Sequence, residues 1–84
     1  MEAARNAVRE ILGDQVGGEI SLEIPENQEN GDIAFPCFTL AKERKKNPME
    51  IAKELASSLA RTNWVCKIEA KGPYVNFFLD PKMF

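Results

Sequence analysis

The sequence predicts an α+β domain of two layers, with helices packed on one face of a small antiparallel sheet. Three observations predict this class. Apolar residues recur at helical spacing near the start and in the middle of the chain. Two segments near the end of the chain are rich in strand-forming residues. A Gly-Pro pair separates those two segments. A chain of 84 residues has room for one hydrophobic core, so we expect a single domain over residues 1–84.

The first helix is predicted over residues 3–12, where the apolar side chains follow the i, i+3, i+4, i+7 spacing of an amphipathic helix. Gly13 ends this pattern, because glycine is a poor helix former. We therefore expect one side of this helix to cover the core. The residues on that side are Ala4, Ala7, Val8, Ile11 and Leu12.

A strand is predicted over residues 20–24, because Ile20, Leu22 and Ile24 alternate with polar residues. We expect these three side chains to point inward, which makes this a half-buried strand. Pro25 ends it, and the seven residues that follow are a polar loop rich in turn formers.

Residues 33–46 allow two interpretations, either a strand followed by a helix or one irregular segment. An apolar run precedes Pro36, which is expected to open a helix at its first turn. Such a helix would direct Phe38, Leu40 and Ala41 into the core and would end on a run of basic residues.

The next helix has the clearest local pattern in the chain. Asn47 is a favourable cap for a helix N-terminus, and Pro48 suits the first helical position, where its missing N–H is not needed. Asn47 is therefore interpreted as a structural residue. The helix is expected to bury Ile51, Ala52, Leu55, Ala56 and Leu59.

Two strands are predicted over residues 65–70 and 74–79, which are rich in strand-forming residues. Only Lys71, Gly72 and Pro73 separate them, so the simplest arrangement is an antiparallel hairpin. Since side chains alternate between the two faces of a strand, every second residue of each strand is predicted to point into the core. These sets are Cys66, Ile68 and Ala70 in the first strand and Val75, Phe77 and Leu79 in the second.

The other face of the last strand carries a candidate binding site. Tyr74 and Asn76 are predicted to lie there side by side, about 6.5–7 Å apart. An aromatic ring can stack on an unpaired base while an amide hydrogen-bonds to the base edge. Gly72 leaves room for close backbone approach, Pro73 stiffens the turn and Lys71 adds a cation. The structural alternative is that Tyr74 covers the sheet edge and Asn76 is an ordinary polar residue.

Composition argues against a self-contained enzyme. The chain has no histidine, and therefore lacks the commonest general base and metal ligand. Its two cysteines, Cys37 and Cys66, form no metal-binding pair and are predicted to be small buried apolar side chains. No apolar run is long enough for a transmembrane helix and no signal peptide pattern is present, so no membrane contact and a cytoplasmic location are predicted.

Charge is unevenly distributed along the chain. Residues 1–36 hold two basic and eight acidic side chains, whereas residues 37–84 hold nine basic and five acidic ones. An isoelectric point near 5.1 argues against strong non-specific binding to nucleic acid. The basic run at residues 42–46 is interpreted as a solvated helix end, and contact with a few phosphates is the alternative.

Four stretches of this chain, taken in order, resemble the N-terminal additional domain of arginyl-tRNA synthetases over essentially its whole length. Each stretch is weak by itself, and their ordered combination is fairly specific. The stretches are Ile24-Pro25 leading to Gly31-Asp32-Ile33-Ala34, then Leu40-Ala41-Lys42, then Lys46-Asn47-Pro48 with Ile51-Ala52, and finally Gly72-Pro73-Tyr74-Val75-Asn76-Phe77-Phe78-Leu79.

The resemblance implies the two-layer fold shared with ribosome-recycling-factor-like domains. It also implies a domain that packs on the outer corner of the tRNA for arginine and contacts its D-loop, where an aromatic and an amide hold an exposed base. Carried onto this sequence, the aromatic is Tyr74 and the amide is Asn76, with Lys71, Gly72 and Pro73 forming the approach. Lys67 and Lys82 are further candidates for phosphate contacts.

The same resemblance implies which parts of the enzyme the chain does not hold. The adenylate-forming domain of these synthetases carries a paired-histidine motif, which a chain without histidine does not contain. We therefore expect an excised or stand-alone copy of the additional domain, monomeric and without a cofactor or metal of its own. The parent enzyme would use ATP and magnesium, and its catalytic domain is an expected partner.

A protein-interaction module is the alternative function. In that case the domain would dock on a synthetase body or on another partner, with large exposed aromatic residues as anchors. Trp64 and Phe84 are the candidates for this role.

Overall fold

The protein is an α+β domain of two layers, as the computed structural model shows for residues 2–13, 15–16, 20–59 and 64–83. This confirms the predicted class and decides that a strand followed by a helix fills residues 33–46. The helices within these ranges are α1 (Glu2–Gly13), α2 (Phe38–Arg44) and α3 (Pro48–Ser58); the strands are β1 (Ile33–Pro36), β2 (Val65–Lys71) and β3 (Tyr74–Leu79). One-turn 3₁₀ helices lie at Gln28–Asn30 and Pro81–Met83.

Strand β3 lies in the centre of the sheet and is antiparallel to both neighbours, in the order β1-β3-β2. Tyr74 pairs with Pro36 on one side and with Lys71 on the other. Gly72 and Pro73 therefore form a two-residue turn, and the predicted hairpin is confirmed. Gly72 has φ +57°, a conformation that glycine adopts without the steric cost of a Cβ atom.

The hydrophobic core lies between the helices and one face of the sheet. Val75 and Phe77 have no exposed surface there, and Leu79 is also buried. All three helices contribute to the same core, which confirms that helices cover one face of the sheet. Their buried residues are Ala4, Val8 and Leu12 of α1, Leu40 and Ala41 of α2, and Ile51, Ala52 and Leu55 of α3.

The N-terminus of α3 has the predicted cap. The Oδ1 atom of Asn47 accepts a hydrogen bond from the backbone N–H of Met49 at 2.8 Å, and Pro48 occupies the first helical position. A capping side chain of this kind stabilises a helix by about 1 kcal/mol.

Among the described residues, no helix is long and apolar enough to cross a membrane.

The strand predicted over residues 20–24 is wrong. Only Glu23 pairs there, in an isolated bridge to Ala34 that holds two backbone hydrogen bonds of 2.8 and 2.9 Å. Ile20 and Leu22 pack against the core, but Ile24 is 48% exposed. The segment touches the edge of β1 at one residue pair, so the inward alternation does not continue to Ile24.

Two predictions around α2 are also wrong. Pro36 is the last residue of β1, and the helix begins two residues later at Phe38. Phe38 is 53% exposed, whereas Leu40 and Ala41 are buried as predicted. At 3.6 residues per turn, Phe38 lies about 200° around the helix from Leu40, so the two side chains point in nearly opposite directions.

Cys66 is exposed, which corrects the prediction of a buried side chain, whereas Cys37 is buried as expected. The register of β2 shifts between Val65, which pairs with Leu79, and Lys67, which pairs with Phe78, so that Cys66 is the extra residue of a bulge. Such a bulge reverses the alternation at one point of a strand. As a result Val65, and not Cys66, enters the core.

Candidate functional site

The face of the sheet opposite the helices carries a cavity of about 540 Å³. This volume is within the usual range for sites that hold small ligands. One wall is the sheet itself, and the other is the segment that runs from the bridge at Glu23 to the first 3₁₀ turn. The lining residues are Glu23, Pro25, Glu26, Asn27, Asn30, Ala34, Lys71, Tyr74 and Asn76.

Tyr74 and Asn76 both line this cavity, on the face that the helices do not cover. Tyr74 is half-buried, but Asn76 is only 3% exposed, so the prediction of an outward, open position is wrong for Asn76. The loop before β1 covers it: a Cβ atom added at Gly31 would lie 3.4 Å from the Asn76 Cβ atom and 3.0 Å from the carbonyl oxygen of Phe77.

The loop is held against β3 by Asp32. The backbone N–H of Asp32 donates to the carbonyl oxygen of Phe77, and its Oδ2 atom accepts from the backbone N–H of Leu79, each at 2.9 Å. Gly31, at φ +88°, makes the tight turn that brings the loop this close. The Gly-Asp pair therefore has a structural role, which is to form the roof above Asn76.

The carboxamide of Asn76 makes no hydrogen bond with the described part of the chain. Yet no buried side-chain nitrogen or oxygen among the described residues is left without a partner. The polar atoms of Asn76 must therefore reach open space, and the cavity that Asn76 lines supplies it. A carboxamide placed this way offers one acceptor and two donor hydrogens to a ligand.

Lys71 closes one side of the cavity. Its ammonium group donates a hydrogen bond of 2.6 Å to Oδ1 of Asn30, which connects β2 to the 3₁₀ turn. Gly72 and Pro73 do not line the cavity and lie in the adjoining turn. A Cβ atom at Gly72 would meet nothing within 4 Å, so its conformation, and not crowding, requires glycine.

The cavity is lined by more negative than positive charge. Glu23 and Glu26 contribute two carboxylates, and Lys71 contributes the one ammonium group among the lining residues. A phosphate would be repelled from such a cavity, whereas the amino group of a base or another hydrogen-bond donor would find acceptors. The cavity thus suits an uncharged donor-bearing ring better than an anion.

Phe38 extends the aromatic surface beside the cavity. Its ring lies 5.9 Å from the ring of Tyr74, centroid to centroid, with the planes at 89°. This edge-to-face geometry is favourable for an aromatic pair and holds the Tyr74 ring in one orientation. The sequence prediction places Phe38 in the core, although its position about 200° around the helix from Leu40 favours the opposite side.

The acidic and amide residues of the loop were also missed. Glu23, Glu26, Asn27 and Asn30 follow no periodic pattern, and the loop was recognised only as polar. Their contribution depends on how the loop folds onto the sheet, which local sequence does not encode. The single available indication was the Gly31-Asp32 pair within the family resemblance.

The other predicted cations differ in their freedom. The Lys67 ammonium group lies 4.9 Å from the ring centroid of Phe78 and 3.0 Å from Oε2 of Glu69, so it already has two partners. Lys82 is exposed in the final 3₁₀ turn. Trp64, proposed as an exposed anchor, is half-buried and packs against the core; Phe84 lies outside the described residues.

Neither nucleophilic nor metal chemistry is supported by the described residues. Burial raises the pKa of the Cys37 thiol to about 11, so it is protonated at neutral pH and unreactive. In the part of the chain that the structure describes, no three His, Cys, Asp or Glu side chains come together as a metal site would require.

Comparisons with known proteins agree with this fold. A family model described as the arginyl tRNA synthetase N terminal domain matches residues 2–79. This chain belongs to that family. The arginine–tRNA ligases of Clostridium kluyveri and Enterococcus faecalis are 54% identical over 63 residues and 48% identical over 71 residues, which is 75% and 84% of this chain.

A solved structure of Thermus thermophilus arginyl-tRNA synthetase matches 98% of this chain with a TM-score of 0.79 and 30% sequence identity. The chain spans only 11% and 12% of the two ligases and 14% of the Thermus chain. These 84 residues therefore correspond to the N-terminal additional domain of arginine–tRNA ligases and not to the rest of those enzymes, as the resemblance implied.

Proposed function

We propose that this arginyl-tRNA synthetase N-terminal domain binds the tRNA for arginine and holds an unpaired D-loop base in the cavity on its sheet. Tyr74 stacks on the base and Asn76 hydrogen-bonds to its edge. One observation carries this proposal: an aromatic ring lines the same cavity as a carboxamide that has no hydrogen-bond partner among the residues the structure describes. The helices do not cover this face of β3, so a ligand can occupy the cavity without disturbing the core.

The energies involved suit a weak accessory contact. Stacking of one base contributes about 1–3 kcal/mol, and a bidentate contact to a base edge adds about 1–3 kcal/mol of discrimination. The cost of association offsets part of this, so the domain alone should bind with a dissociation constant on the order of 10⁻⁴–10⁻⁶ M. Joined to a catalytic domain, the same contacts act at high effective concentration and help to orient the tRNA.

The proposed setting is that of the longer relatives. In it the domain is linked to the catalytic domain of the same synthetase, in the cytoplasm, and contributes to arginyl-tRNA aminoacylation without taking part in the chemistry. ATP and magnesium would be bound by the catalytic domain. The domain itself would act as a monomer without a cofactor.

A protein-interaction role is the second candidate. Ile24 and Met49 are 48% and 49% exposed, and such apolar side chains can anchor a protein partner. NMR shift mapping with a D-arm RNA separates the two functions. Shifts at Lys71, Tyr74 and Asn76 support RNA binding; a silent spectrum together with binding to synthetase fragments supports the protein partner.

The direct test is replacement of Tyr74. Tyr74→Ala should weaken binding by about 1–3 kcal/mol because the stacking surface is lost, whereas Tyr74→Phe keeps the ring and should bind nearly as well as wild type. The measurement is fluorescence anisotropy with an in-vitro transcript of an Enterococcus faecalis arginine tRNA, with circular dichroism as the folding control. Equal affinity of wild type and Tyr74→Ala would refute the proposal.

A further inference from the structure

The outer side of α2 is a second exposed feature next to the cavity. Phe38 begins this helix, is 53% exposed, and meets the Tyr74 ring edge-on at 5.9 Å. The two rings extend an aromatic surface from the cavity onto α2, and an exposed aromatic ring can stack on an unpaired base.

Two exposed lysines follow Phe38 along this helix. Lys42 lies four residues after Phe38, which places both on the same side of α2 with Cβ atoms about 5–6 Å apart. Lys45 follows where the helix ends. Both lysines are exposed, and neither ammonium group has an ion pair or hydrogen bond within the described ranges.

The neighbouring basic residues are, by contrast, engaged with the fold. The Nη2 atom of Arg44 donates to the carbonyl oxygen of Gln15 at 2.7 Å, and the Lys46 ammonium group lies 3.4 Å from Oε1 of Glu54. Within the basic run, Lys42 and Lys45 are therefore the cations available for a partner.

Shape and charge together favour a nucleic-acid strand as that partner. Phe38 to Lys45 covers about 10 Å along the helix, and a nucleic-acid strand carries one phosphate per roughly 3.4 Å of duplex axis, so two or three phosphates fit this length. The cavity carries two carboxylates and repels phosphate, whereas this side of α2 attracts it.

We propose that Phe38, Lys42 and Lys45 form an α2 strip that holds the nucleotides next to the base in the cavity. Phe38 stacks on a flanking base, and the two lysines contact backbone phosphates. This inference rests on the proposed function, because it assumes that a base occupies the cavity.

The first test uses anisotropy titrations with the Enterococcus faecalis arginine tRNA transcript over a range of salt concentrations. Lys42→Gln should weaken binding and lower the slope of log affinity against log salt by about 1. Lys53→Gln is the matched control, since Lys53 is also exposed but lies on α3. An unchanged salt slope for Lys42→Gln overturns the phosphate contact.

The second test separates stacking by Phe38 from its contact with Tyr74. Phe38→Ala should weaken binding about 5- to 150-fold, by analogy with other base-stacking residues. A D-arm RNA that lacks the bases next to the base in the cavity should bind the wild-type domain correspondingly weakly. With this RNA, Phe38→Ala should cause no additional loss of affinity. If Phe38→Ala weakens binding of this shortened RNA as much as it weakens binding of the complete RNA, Phe38 acts only through Tyr74 and the stacking role is overturned.

The outcomes distinguish this inference from the proposed function. If Tyr74→Ala weakens tRNA binding while Phe38→Ala and Lys42→Gln bind like wild type, the cavity binds the base and the α2 strip is refuted. If Tyr74→Ala binds like wild type, the proposed function itself fails. Circular dichroism of each variant checks that the fold is intact.

Discussion

The two faces of β3 place consecutive residues of one strand in different physical roles. On one face, Val75, Phe77 and Leu79 are buried by the helices and form the centre of the core. On the other, Tyr74 and Asn76 line a polar cavity beneath the loop that contains Gly31. Both faces contain buried residues, but they are buried by different kinds of neighbours.

This difference shows that burial alone does not distinguish core residues from site residues. Phe77 is surrounded by apolar side chains and stabilises the fold by removing its ring from water. Asn76 is almost equally buried, yet its carboxamide has no protein partner in the described chain. A buried polar group is usually hydrogen-bonded to protein or water, so a carboxamide that opens to a cavity is able to bind a ligand there.

The largest expected difference is between the effects of Phe77→Ala and Asn76→Ala on the free energy of unfolding, since these adjacent residues lie on opposite faces of β3. Phe77→Ala leaves a large void in the core and should lower the free energy of unfolding by about 3–5 kcal/mol. Asn76→Ala removes no hydrogen bond within the described chain, so it should cost less than about 1 kcal/mol while weakening tRNA binding. Urea unfolding followed by circular dichroism measures the first effect, and anisotropy measures the second.

If Phe77→Ala unfolds the domain, the milder Phe77→Leu provides a measurable value. Similar stability losses for Asn76→Ala and Phe77→Ala would contradict the assignment of separate roles to the two faces. Asn76→Asp is the less informative variant, because it places a third carboxylate beside Glu23 and Glu26 in a buried position.

Gly31→Ala should have the next largest effect, because it disturbs the roof of the cavity and not the core. The backbone has φ +88° there, and the new Cβ atom would lie 3.0 Å from the carbonyl oxygen of Phe77. We expect a loss of about 1–3 kcal/mol in the free energy of unfolding. Gly13→Ala is the control, since a Cβ atom there would meet nothing within 4 Å and no positive φ is recorded for this residue.

Thermal unfolding measures both glycine variants. A stability of Gly31→Ala equal to that of wild type would mean that the loop rearranges readily and that Asn76 is not held beneath a fixed roof.

An effect that is absent at neutral pH is expected from Cys37, and only in alkaline solution. Burial raises the pKa of Cys37 from 9.0 to about 11. The raised pKa means that the folded state keeps the proton more tightly. The contribution of the protonated Cys37 thiol to the free energy of unfolding is therefore fully present below pH 9. It is lost as the pH rises toward 11, by an amount on the order of 2 kcal/mol.

Cys37→Ala should remove this part of the alkaline destabilisation, whereas Cys66→Ala should leave it unchanged because Cys66 is exposed. Unfolding free energies at pH 8, 9.5 and 11 measure the difference. The same pH dependence in Cys37→Ala and wild type would contradict the role of the buried thiol.

Local patterns were sufficient for the elements whose structure depends on neighbours in sequence. The spacing of Ala4, Val8 and Leu12 predicted α1, and the Asn47-Pro48 pair predicted the start of α3, because helix periodicity and capping act within a few residues. The hairpin was predicted for the same reason. The face of β3 that enters the core followed from simple alternation.

The errors arose where partners distant in sequence determine the outcome. Ile24 was placed inward, but its segment meets β1 at only one residue pair. The bulge at Cys66 depends on how β2 pairs with β3. Strand alternation and helix faces predict burial only when the register and the element boundary are known.

The sequence by itself determined the fold class, the hairpin, the helix cap and the membership of Tyr74 and Asn76 in one face of the last strand. Only the tertiary structure decided that Asn76 is buried and that acidic loop residues complete the cavity. The physical reason is that local backbone preferences act over one or two turns. The roof above Asn76 depends instead on contacts of Gly31 and Asp32 with β3, more than 40 residues away in the chain.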